Sequence, residues 1–186
     1  MDLDRGRLTR KTWPTDFTEH AHLNLEEIRK SGLVPHWKFI LPDKETQSLK
    51  DWRLAKIDMA TFNNFHGSQK EVEAWQNYHE QFPVEGVVSR GMYAIQLNRW
   101  LSGFRRNNFF VLKTEELSDD LAKDTMNHVY KHIGLPEFEL ENITAKNMGS
   151  SHEPMSIEIQ ELLDRFYKPY NDQLVKILGE KWKDPW

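Results

Sequence analysis

The sequence predicts an α/β fold, mostly helical with few parallel strands, on three observations. Tyr93, Leu97, Trp100, Leu101 and Phe104 recur at helical spacing and form one apolar stripe. Gly103 and Arg106-Asn107-Asn108 interrupt that face, and Phe109-Phe110-Val111-Leu112 follows as a short aromatic and β-branched run. Such a run is the pattern of a strand covered on both faces, the usual state in a parallel sheet. Third, about five other stretches carry helical periodicity, so helices outnumber strands.

Taken in order, 1–13 is charged and poorly patterned, and Pro14 follows a residue biased away from helix. A first helix is expected from about Thr15-Asp16, with Phe17, Ala21, Leu25 and Ile28 inward and Ser31-Gly32 as its stop. Lys44 to Leu54 predicts a short helix. An aromatic-rich loop surrounds Gly67, and a helix is expected over Gln69 to Gln81. Ser89 is the expected N-cap of the central helix. Ser118-Asp119-Asp120 opens another helix with Ala122, Met126, Val129, Tyr130 and Ile133 on one side. After a loop over 137–154, Ser156 caps a helix with Ile159, Leu162, Leu163, Phe166 and Tyr167 inward; Pro169 is expected to interrupt it, and Trp182 and Trp186 to cover the core edge. A strand buried at 109–112 needs neighbours for its N–H and C=O groups. These lie near Trp37 to Leu41 and Val84 to Val88, or on sequence the chain does not contain.

Composition narrows the function. The 186 residues suffice for one domain, with 38% hydrophobic, 12% aromatic and 29% charged residues. The net charge of −4 leaves no broad cationic surface of the kind that drives nucleic-acid affinity, so nucleic acid is set aside as a partner. The absence of Cys removes disulfides, thiolate metal sites and Cys nucleophiles. No apolar run reaches the length of a membrane span, and the first residues lack a signal-peptide core, so the chain as written is expected in the cytosol.

No Gly-rich phosphate loop, H-E-x-x-H or G-x-S-x-G occurs. His20 and His22 point to different sides of a helix, and His128 and His132 read as surface residues near a helix end, so no metal site is expected. Glu115 and Glu116 follow the strand, where ligands gather in α/β folds, but capping of the next helix or pairing with a nearby base is the favoured account of them. Asn142-Ile143-Thr144 is a glycosylation sequon.

Three segments together resemble the carboxyl-terminal half of the sulfotransferases that use 3'-phosphoadenosine 5'-phosphosulfate (PAPS), most closely the Golgi heparan sulfate type. They are GMYAIQLNRWLSGF with FFVLKTEEL, then HVYKHIGLP, then AKNMGSSHEPMSIEIQELLDRFYKPYNDQLVKILG ending in Trp182. The resemblance covers roughly Val84 to Trp186. It implies the carboxyl-terminal part of a P-loop-type sulfotransferase fold, with 1–186 a single partial domain and the phosphosulfate-binding part on upstream sequence. It further implies that Met1 is internal to a longer protein, which belongs in the Golgi if an anchor precedes it.

By the same resemblance Lys146, Gly149 and Ser150 contact PAPS, with Gly149 allowing close backbone approach. Ser150 stands where the family often has Arg, which removes a bidentate phosphate fork. The family's Cys pair is also absent. Ser89, Arg90 and Tyr93 resemble the border of the acceptor side, and Tyr93 is equally a core candidate. No general base is identified. The implied activity is sulfuryl transfer to a hydroxyl or amine of a carbohydrate or small-molecule acceptor; the alternative is a truncated, non-catalytic remnant or interaction module.

Overall fold

Local signals decide most element boundaries in the computed structural model, which describes residues 17–39, 49–82, 86–118, 121–140 and 155–183. In order these residues form α1 (Phe17–Lys30), β1 (Trp37–Lys38), α2 (Leu49–Leu54), β2 (Lys56–Ile57), α3 (Met59–Phe65), α4 (Gln69–Gln81), α5 (Tyr93–Gly103), α6 (Leu121–His132) and α7 (Ile157–Leu178), with short 3₁₀ turns between. α1 stops where expected: Gly32 takes φ +84°, and the Leu33 N–H reaches back to the Ile28 carbonyl. Ser68 and Ser156 accept from the backbone of Glu71 and Ile159 and so cap α4 and α7.

The chain divides into two compact units, 1–98 with 154–183 and 99–153 with 184–186. The first holds an aromatic core in which Trp52, Phe62, Tyr78, Phe166 and Tyr170 are fully buried beside Leu25, Ile28 and Met92. α7 crosses this core through Ile159, Leu162, Phe166, Tyr170 and Leu174, a stripe at helical spacing. The Arg165 guanidinium donates to the carbonyls of Arg53 and Ala55 and lies over the Trp37 ring, tying α7 to the junction of α2 and β2. In the second unit the 3₁₀ turn Thr114–Leu117 packs on α6, whose Ala122 is buried.

Several expectations change. The described sheet is one antiparallel pair, Trp37 opposite Ile57 and Lys38 opposite Lys56, rather than a set of parallel strands. Trp37 does belong to a strand, as its neighbourhood suggested, whereas Val87 and Val88 lie in a turn. Residues 109–113 are extended at both ends, with Phe109 at φ −113°, ψ 127° and Lys113 at φ −86°, ψ 147°, yet form no strand. Among the described residues no neighbouring strand takes the N–H groups of Phe110, Val111 and Leu112, and the segment is half-buried to exposed.

α5 buries Ala94 and Ile95 instead of its large stripe, leaving Tyr93, Trp100 and Phe104 about half exposed. Periodicity located the apolar face, but what covers a face is a tertiary matter. The aromatic stretch before Gly67 is helical as α3, because Asp58 caps it through the Ala60 and Thr61 N–H groups and Phe62 and Phe65 turn inward. α7 runs through Pro169 without stopping. The lost hydrogen bond costs about 3 kcal/mol, and burial of Tyr170 and Leu174 beyond it offsets that.

Candidate functional site

The turn over 86–91 is held from three helices. Asn24 on α1 accepts from the Val88 and Ser89 N–H groups at 2.9 and 3.0 Å, and its amide donates to the Tyr78 hydroxyl of α4 at 2.8 Å. Tyr78 in turn donates to Ser89 Oγ at 3.1 Å, and Ser89 Oγ donates to the Gly86 carbonyl at 3.0 Å. From α7 the Tyr167 hydroxyl donates to the Val88 carbonyl at 2.8 Å. Burial pushes the Tyr167 hydroxyl well above the ordinary phenol range, with a smaller push from Tyr93, so it remains a donor. Side chains fit at neither end: a Cβ at Gly86 would overlap Asn24, and one at Gly91 would stand 2.7 Å from the Tyr167 hydroxyl.

This clamp bears on the three residues expected at the acceptor side. Ser89 is buried and fully hydrogen-bonded within the turn, so it holds the backbone and is not the N-cap of α5. Arg90 and Tyr93 lie at the surface, and the Arg90 carbonyl accepts from Gln96. A rigid turn presenting a guanidinium and a phenol can fork onto an anionic group and pack against a sugar ring. Lys146, Gly149 and Ser150, like the Asn142 sequon, lie outside the described residues.

A second polar cluster has no counterpart in the sequence reading. The Glu71 carboxylate faces His66 Nδ1 at 3.0 Å and accepts from the Gly67 N–H at 2.9 Å, and the Asn98 amide lies 2.9 Å from His66 Nε2. An amide N–H can only donate, so Nε2 accepts and Nδ1 carries the proton. Both ring nitrogens are engaged inside the chain, which makes the cluster a clamp between α3, α4 and α5 rather than a base facing substrate. The visible signal was Ser68-Gln69-Lys70-Glu71, a capping-box spacing whose Glu here serves the preceding loop.

Below this cluster His36 is buried with neither ring nitrogen bonded to a described residue, edge-on to Phe62 at 4.9 Å. Burial first, then the Lys38 charge, holds its imidazole at about 4, against a pull upward from Asp58. Glu116 accepts from the Lys113 N–H at 2.8 Å, so it caps its own turn. No group of His, Asp and Glu among the described residues could hold a metal, and no helix there is long and apolar enough to cross a membrane.

A family model described as "Sulfotransferase domain" matches residues 49–183, from α2 to the last 3₁₀ turn. The chain belongs to the sulfotransferase family. Among curated proteins, the sulfotransferase chain is 36% identical over 104 residues to carbohydrate sulfotransferase 15 of Nototodarus sloanii, covering 50% of this chain and 65% of that one. It is 29% identical over 106 residues to carbohydrate sulfotransferase 15 of Homo sapiens, covering 50% of this chain and 19% of the relative. A membrane-associated sulfotransferase of Dictyostelium discoideum is 25% identical over 105 residues, with 54% and 21% covered. The matched segment thus spans under two thirds of the Nototodarus sloanii protein and about a fifth of the other two. No solved structure matches this one. α1 and β1 lie before the family match, yet α1 supplies the Asn24 that sets the turn within it.

Proposed function

We propose that this chain is the carboxyl-terminal, acceptor-side part of a sulfotransferase domain whose complete form moves a sulfuryl group from PAPS to a hydroxyl or amine of a carbohydrate. The observation that carries the reading is the family match over 49–183, joined to relatives named carbohydrate sulfotransferase. Within it, Arg90 and Tyr93 border the acceptor, Ser89 fixes their turn, and Lys146, Gly149 and Ser150 contact the nucleotide. Positioning and electrostatic complementarity are the contributions such a part makes, as in phosphoryl transfer.

The acceptor assignment is tested by binding of the 186-residue chain to a panel of immobilised polysaccharides, anionic and neutral. The expected result is retention of an anionic member, weakened about 10-fold or more in R90A when both chains are compared well below their melting temperatures, the size of one charge-assisted fork. Equal retention of R90A and the unmodified chain contradicts the assignment. A second reading is a non-catalytic remnant or interaction module that does not bind the nucleotide. The two readings part on nucleotide binding.

A further inference from the structure

A pocket between the end of α1 and β1 lies on residues that precede the family match and that the acceptor turn does not use. About 390 Å³ in volume, it is walled by Val34, Pro35, Trp37 and Phe39 and flanked by the cations Arg29 and Lys38. An apolar wall with a few polar groups, in a cavity of this size, is the make-up of a small-ligand site. Phe39 is fixed in that wall, edge-on to Trp52 at 4.9 Å, with the Arg29 guanidinium 5.9 Å from its ring centroid.

The carboxylates nearby are already committed within the chain. Glu26 accepts from Trp52 Nε1 at 2.8 Å through one oxygen, and from Arg29 Nε and Nη2 at 3.0 and 2.9 Å through the other. That pairing fixes the guanidinium and leaves its Nη1 group open. Asp58, just after β2, accepts from the Ala60 and Thr61 N–H groups and the Thr61 hydroxyl. Lys38 gives one of its three N–H groups to the Pro35 carbonyl at 2.8 Å. Lys56 stands directly opposite Lys38 on the strand pair; both are exposed, and neither forms an ion pair among the described residues. Like charges directly opposite on one face of a strand pair repel. An anion bound here relieves that repulsion, although the whole chain carries a net charge of −4.

We propose that this pocket binds one anionic unit of a saccharide chain, its sulfate or carboxylate held by Arg29 and Lys38, with Lys56 adding charge across the strand pair. The volume and the apolar wall favour a sugar-borne anion over a free ion. The choice of a saccharide rests on the carbohydrate reading, whereas the choice of an anion rests on the charges alone.

Amide NMR titration of the 186-residue chain with a sulfated disaccharide, its neutral counterpart and inorganic sulfate tests the site. The sulfated disaccharide is expected to shift amides within 29–39 and that of Lys56 saturably, and to do so in R90A as well, which separates this pocket from the turn over 86–91. K38A/K56A is expected to weaken that binding about 10-fold or more, the loss of charge-assisted contacts, while K38R/K56R keeps it. The neutral disaccharide should leave these amides unmoved, and inorganic sulfate should bind at least about 10-fold more weakly. Shifts that are absent, that the neutral disaccharide reproduces, or that K38A/K56A leaves unchanged overturn the proposal. So does inorganic sulfate that binds as tightly as the disaccharide, which marks an adventitious ion only. If R90A retains polysaccharide as well as the unmodified chain while the shifts within 29–39 persist, this pocket is upheld and the acceptor role of Arg90 is contradicted.

Discussion

His36 shows how a single buried group converts position into a pH dependence. The imidazole sits at 0% exposure and is held at about 4, against 6.5 for an unperturbed His. Between those values the unfolded chain binds a proton that the folded chain refuses, so stability is full above pH 6.5 and falls as the pH drops toward 4. The difference corresponds to roughly 3 kcal/mol across the window, with no further change from this group below it. Urea unfolding at pH 7, 5.5 and 4.5 should show that decline, and H36L should flatten it. An H36L profile as steep as that of the unmodified chain would mean other groups set the acid sensitivity. Nothing in the sequence marked His36, because only the fold places Phe62 and Tyr170 around it.

At the scale of elements, the turn over 86–91 depends on a side chain more than 60 positions away. Removing the Asn24 amide strands the buried N–H groups of Val88 and Ser89 and takes a partner from Tyr78. N24A is therefore expected to cost about 3 kcal/mol, measured by urea unfolding, at the upper end for a lost buried acceptor; a loss below about 0.5 kcal/mol would show that the turn holds without α1.

This dependence could not be read from sequence, where Asn24 is one polar residue between apolar positions of a helix. What could be read was periodicity with punctuation. α1 and α4 stand within a few residues of their expected bounds, where Gly32 and Ser68 mark an end of each, whereas α7 starts where Ser156 places it but runs on through the Pro169 expected to interrupt it. The failures have one physical source, the identity of the neighbour. The stripe of α5 is real but its large members stay exposed, and 109–112 has the composition of a buried strand without a described strand beside it. α3 was missed because Asn63-Asn64 lowers its helix propensity while Phe62 and Phe65 supply tertiary burial.

For the whole molecule, the family was legible in the order of three segments. The clamp that shapes the turn over 86–91 was not, since it joins α1, α4 and α7. Arg90 and Tyr93 lie at the surface, and the expected nucleotide contacts Lys146, Gly149 and Ser150 lie outside the described residues. The central claim is that these 186 residues carry nucleotide contacts of a PAPS-dependent domain. Calorimetric titration of the 186-residue chain with 3'-phosphoadenosine 5'-phosphate tests it most directly. The account expects saturable heat, with affinity reduced about 10-fold in K146A, the loss of one charged phosphate contact. No heat at millimolar nucleotide would contradict it and rule out this chain alone as a working sulfotransferase.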